Sequence, residues 1–137
     1  MRTRWLPVPI AGVLLTASCG GDCTTIGPPS TIWIDTATVV RGFDERLTVS
    51  VCVNETCDLF ARSSRRLGWV EIDDPGIDDE GPVRVVLTVS TDDGGTIFHG
   101  TTTPTLQLVQ PNGPGCGDKF TASLVAAGRS SLEPFQP

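Results

Sequence analysis

The chain has 137 residues and a formal net charge of -6, the length of a single domain with one core. Its acidity repels phosphate backbones and anionic headgroups, which excludes nucleic acid as an electrostatic partner and leaves membrane attachment to something other than charge. Loss of Arg2 and Arg4 with a leader would take the charge from -6 to -8.

The first predicted element is an export segment. Arg2 and Arg4 precede an apolar stretch from Trp5 to Leu15, followed by Thr16, Ala17 and Ser18 ahead of Cys19. This charged, apolar, small-residue order is that of a helical secretory signal peptide. The stretch contains Pro7 and Pro9 and falls well short of the roughly 20 apolar residues of a membrane-spanning helix. Cleavage after Ser18 is the expectation, so that residues 1–18 are the leader, 19–30 a tether and 31–137 the folded domain.

Ala17, Ser18 and Cys19 resemble the lipobox of bacterial lipoproteins, although Thr16 stands where that motif usually has Leu. The resemblance implies that Cys19 carries a covalent diacylglyceryl group and becomes the first residue. Cysteine arithmetic agrees, because the five cysteines are Cys19, Cys23, Cys52, Cys57 and Cys116, and committing one to a thioether leaves an even set for disulfides. Ordinary cleavage would instead leave a soluble secreted protein with an odd thiol. The resemblance places the chain in the cell envelope, lipid-anchored to the extracytoplasmic face of a membrane, with no other cofactor. Only Gly20, Gly21 and Asp22 separate Cys19 from Cys23, so a domain tied at Cys23 begins within roughly 14 Å of the anchor.

From residue 31 onward, short runs alternate with period two between turn signals, the pattern of antiparallel strands. Ile32, Ile34 and Val39 open the series with Trp33 on the other face. Leu47, Val49, Val51 and Val53 alternate with Thr48, Ser50 and Cys52; Val83, Val85, Leu87 and Val89 alternate with Arg84, Val86 and Thr88. Further runs cover 67–72, 96–98, 105–109 and 120–126, with turns at 73–76, 92–95 and 111–115. No stretch after the leader holds apolar residues at helical spacing. The prediction is an all-β, antiparallel β-sandwich of about seven to nine strands. Over residues 31–137 the pattern resembles an immunoglobulin-like or fibronectin type III-like domain. Cys52, Trp69 and Cys116 even follow the cysteine, tryptophan, cysteine order of antibody domains, but Cys116 lies between Gly115 and Gly117 and the chain has no Tyr for a tyrosine corner.

The preferred disulfides are Cys52–Cys57 and Cys23–Cys116. With Asn54 and Glu55 as a two-residue turn, Cys52 falls opposite Cys57 in a close, non-hydrogen-bonded pair. Continuing that register sets Asp58 opposite Val51 and Leu59 opposite Ser50, which mixes faces and predicts a bulge or strand switch after Cys57.

His99 is the only histidine, so any triad-type catalysis must use it; a surface or hydrogen-bonded histidine is the simpler expectation. Asp73, Asp74, Asp78, Asp79 and Glu80 form an acidic cluster that could offer oxygens to calcium. They do not match an EF-hand loop, and a solvated acidic loop needs no cation. Asn54, Glu55 and Thr56 match a glycosylation acceptor and are assigned to turn geometry. The functional expectation is a membrane-anchored, non-catalytic surface module that contacts an envelope protein or polymer through its loops or a strand edge. The alternative is a calcium-dependent binding or adhesion module.

Overall fold

A computed structural model describes residues 29–77, 80–111, 113–114 and 116–135; Cys19, Cys23, Asp78 and Asp79 lie outside them. The chain forms β1 (Thr31–Asp35), a one-turn helix α1 (Ala37–Val40), β2 (Arg46–Val53), β3 (Thr56–Ser63), a 3-10 turn (Ser64–Arg66), β4 (Trp69–Asp73), β5 (Val85–Thr91), β6 (Thr96–Thr102), β7 (Gln107–Val109), β8 (Lys119–Ala127) and β9 (Ser131–Pro134). These strands build an all-β sandwich. One sheet has the order β4-β1-β8-β7, with β9 also paired to β8, and the other has the order β3-β2-β5-β6.

The core follows from the period-two pattern. Leu47, Val49, Val51 and Val53 of β2 are buried, as are Val85, Leu87 and Val89 of β5 and Phe120, Ala122, Leu124 and Ala126 of β8. Neighbouring residues on each strand turn outward, so one face of each sheet meets the other and excludes water. Branched side chains dominate this interior because they fit the pleated surface.

Four features differ from the sequence expectation. Val39 lies in α1 rather than on a strand; the Thr36 carbonyl accepts from both Val39 and Val40 N–H, which turns the chain between the sheets and still buries both valines. β1 runs parallel to β8, so the sheets are antiparallel only in the main. Val83 precedes β5 yet remains buried, held where Pro82 bridges Thr105.

The fourth difference concerns the hairpin after Cys57. β2 and β3 pair without interruption from Val53↔Thr56 to Arg46↔Ser63, so the expected bulge or strand switch is absent. The mixed-face conflict resolves otherwise: Asp58 and Arg62 stand on the core side by register but remain exposed at the sheet edge, where only Phe60 of β3 is partly buried against the core. An edge strand free of burial tolerates charge on either face.

The Cys52–Cys57 disulfide is present, and closing so short a loop contributes about 2 kcal/mol in the chain-entropy treatment. Asn54 takes the left-handed φ of 54° in the turn, a conformation asparagine tolerates. Its N–H donates to the Arg84 carbonyl at 2.8 Å and its Oδ1 accepts from the Arg84 N–H at 3.0 Å, which docks the turn on the chain leading into β5. Cys116 is also disulfide-bonded; the expected partner, Cys23, lies outside the described residues.

Ser64 opens the 3-10 turn that carries the chain from one sheet to the other. Its hydroxyl is buried and, among the described residues, lacks a hydrogen-bond partner, a condition that costs stability. Ser64→Ala is therefore expected to raise stability by about 1 kcal/mol, read as a higher urea midpoint with an unchanged slope.

Candidate functional site

The outward face of the β4-β1-β8-β7 sheet holds the most distinctive surface. Opposed residues on paired strands share a face, and the register sets Trp33 of β1 beside Glu71 of β4 and Ser123 of β8. Asp35 stands likewise between Trp69 and Val125. Trp33 and Trp69 are therefore diagonal neighbours on adjacent strands, a separation of roughly 7–8 Å that indole rings bridge. They remain 41% and 57% exposed, although tryptophan is highly buried on average.

A third aromatic extends this row. The Phe135 N–H donates to the Ser123 carbonyl at 2.8 Å, continuing the β8–β9 ladder beyond Pro134, and Phe135 is 55% exposed. Across the sheet the row reads Glu71, Trp33, Ser123, Phe135. The small Ser123 leaves a gap between two aromatic side chains.

Beside Phe135 the free edge of β8 is notched. β7 covers residues 119–121 of β8 and β9 covers 124–127, leaving an interval with neither strand. A cavity of about 220 Å³ occupies it, lined by Pro104, Thr105, Gln107, Thr121, Ser123 and Phe135 among others. Its polar groups are hydroxyls and an amide, uncharged donors and acceptors, and Ser123 joins it to the tryptophan pair. The whole face offers apolar rings with hydrogen-bonding groups between them, and by register Asp35, Glu71, Asp73 and Glu133 place carboxylates on it. It is suited to stacking and hydrogen bonding, and the carboxylates disfavour an anionic ligand.

The other residues singled out from the sequence do not converge here. His99 is exposed on β6, and its Nδ1 is 2.9 Å from the Thr88 hydroxyl across the strand pair, the hydrogen-bonded surface position expected of it. The Asp73 carboxylate accepts from the Thr31 hydroxyl at 3.3 Å. Asp74 has a left-handed φ of 51° and its N–H donates to the Ser30 carbonyl at 2.8 Å. These contacts make the acidic segment part of the sandwich end. Among the described residues no three His, Cys, Asp or Glu side chains gather in a metal-binding group, and Asp78 and Asp79 lie outside them.

In the 92–95 turn, the Thr91 hydroxyl and then the Gly95 N–H donate to the Asp93 carboxylate. Together they hold its pKa below the usual aspartate value, because hydrogen bonds to the charged form favour it. This is turn chemistry on an exposed loop. Among the described residues no helix is long and apolar enough to cross a membrane.

Sequence reasoning placed Trp33 outward from its neighbours Ile32 and Ile34, but it did not find the site. Trp69 and Phe135 join Trp33 only through strand pairings between segments far apart in the chain. Comparison with protein-family models, curated proteins and solved structures finds no match to this chain.

Proposed function

We propose that this chain is an exported lipoprotein, anchored through a diacylglyceryl group on Cys19, whose β-sandwich is a non-catalytic interaction module. In this reading the domain has an immunoglobulin-like arrangement and acts at the extracytoplasmic face of a membrane. The observation that carries the interaction role is the exposure of Trp33 and Trp69 side by side on one sheet face. Leaving two large apolar side chains in water sacrifices burial energy of about 25 cal/mol per Å², and contiguous exposed apolar surface marks an interaction site. The partner is an envelope polymer or protein that offers flat apolar faces to the rings and hydrogen-bonding groups to Ser123, Thr121 and Gln107. Nucleic acid is not a partner, given the net charge of -6.

The test uses intact cells carrying a photo-crosslinking residue at Thr121, beside the notch. The wild-type background should yield a discrete adduct with polysaccharide or protein. The double change Trp33→Ala and Trp69→Ala should abolish that adduct while leaving the domain's thermal unfolding unchanged within a few degrees. An adduct that survives the double change would refute this face as the contact surface.

A further inference from the structure

We infer that β3 is a self-pairing edge and that its occupant is a second copy of this chain, joined to it antiparallel about a two-fold axis at Phe60. The proposal is independent of what binds the tryptophan face. β3 is an eight-residue strand at the end of its sheet, and among the described residues no strand pairs with its outer edge. Such an edge presents unpaired N–H and C=O groups to any extended segment. β4 also lies at a sheet end but has five residues against the eight of β3, and the remaining edges in the sandwich are blunted. β9 ends in Pro134 and has four residues, β7 has three, and β6 meets a register shift at Val89/Ser90. β3 contains no Pro or Lys, and its pairing with β2 shows no register shift.

The backbone phase of β3 follows from the hairpin. After a two-residue turn, Val53↔Thr56 is a hydrogen-bonded pair and Cys52↔Cys57 a non-hydrogen-bonded one, with strict alternation beyond. Thr56, Asp58, Phe60 and Arg62 therefore direct their backbone groups toward β2. Cys57, Leu59, Ala61 and Ser63 direct theirs outward, where a partner strand must meet them.

An antiparallel copy can satisfy those groups only in registers that place odd-numbered residues opposite odd-numbered ones. Centring the pair on Phe60 sets Cys57 opposite Ser63 of the second copy and Leu59 opposite its Ala61, forming about eight backbone hydrogen bonds at two per pair. On the core-side face, Phe60 then meets Phe60, and Asp58 meets Arg62 twice, once on each side of the axis. Sliding to the next allowed register in either direction loses both ion pairs. Sliding further puts Asp58 on Asp58 or Arg62 on Arg62.

The side chains are already disposed for this arrangement. Asp58 and Arg62 are exposed and Phe60 is half-buried against the core at the sheet edge. The Arg62 guanidinium lies 5.1 Å from the centre of the Phe60 ring, on the face the second copy would cover. The basic end of the strand borders a cavity of about 630 Å³ lined by Arg46, Ala61, Arg62, Ser63 and Arg66. In the Phe60-centred register the second copy's acidic end, with Glu55 and Asp58, approaches this basic end. A closed two-fold contact also uses up both edges and so avoids an open filament. Edge pairing alone buries less than the standard interface of about 1,600 Å², so the dimer is weak and its charges set register more than affinity.

The test is analytical ultracentrifugation of the full chain in a mild non-ionic detergent, from about 1 μM to 1 mM. The wild type should associate to a dimer and no further. D58R and R62D, each of which replaces attraction by repulsion at both symmetric positions, should each weaken dimerisation at least tenfold. An equimolar mixture of the two single variants should form a heterodimer with near wild-type affinity, since opposite charges then face each other. The double variant D58R/R62D should recover self-association. A wild type that stays monomeric throughout, single variants that dimerise like the wild type, or a mixture that fails to associate would each overturn the proposal.

Discussion

Phe98→Ala is expected to destabilise the domain by about 3–5 kcal/mol, the range for removing a buried aromatic ring. Phe98 is the largest of the fully buried side chains, at 0% exposure, and pairs from β6 with the buried Val89 of β5. The ring also occupies space that the next inward residue on β6 leaves open. A Cβ on Gly100 would lie 2.8 Å from Phe98 Cζ and 2.9 Å from the Ser130 carbonyl oxygen. The Ser130 oxygen belongs to the backbone, so neither neighbour can yield cheaply, and Gly100→Ala should cost about 1–3 kcal/mol by overpacking. Urea denaturation checks both, with Phe135→Ala as the control: that ring is 55% exposed, and its loss should change stability by less than about 0.5 kcal/mol. If Phe98→Ala cost under about 1 kcal/mol, this packing of the two sheets would be wrong.

Cys19→Ser is expected to convert a membrane-bound protein into one released by buffer washing. Each buried methylene contributes about 0.8 kcal/mol, and two acyl chains hold stably where one holds only marginally. Charge offers no substitute, since the chain carries -6 overall and an acidic surface is repelled by anionic lipids. The measurement is the distribution between membrane and soluble fractions after a carbonate wash, joined with mass spectrometry of the amino terminus. The wild type should sediment with a diacylglyceryl adduct on Cys19, and the variant should remain in the supernatant without it. A wild type that washes off with an unmodified thiol would leave an ordinary secreted domain, without affecting the sandwich or its tryptophan face.

Much of the sandwich was legible because burial and alternation coincide on its central strands. In β2, β5 and β8 the alternate residues facing the other sheet are apolar, save Thr91 at the end of β5, so period two in composition becomes period two in burial. The Cys52–Cys57 bridge was legible for a related reason: a two-residue turn dictates which residues oppose each other, whatever the rest of the chain does. α1 escaped notice because a single turn is too short to display a helical period. β9 has only four residues and buries just Leu132.

Local chemistry therefore determined the all-β class, the inward residues of the long strands and the hairpin register. Tertiary structure alone decided which strands lie at the edges, and with them which faces remain in water. Asp58 and Arg62 are harmless on the core side only because β3 is an edge strand that leaves both exposed. Trp33, Trp69, Ser123 and Phe135 share one surface only because β1 lies between β4 and β8. Alternation along a strand specifies its two faces, whereas lateral order among strands depends on contacts between segments remote in the chain, which no short window of residues contains.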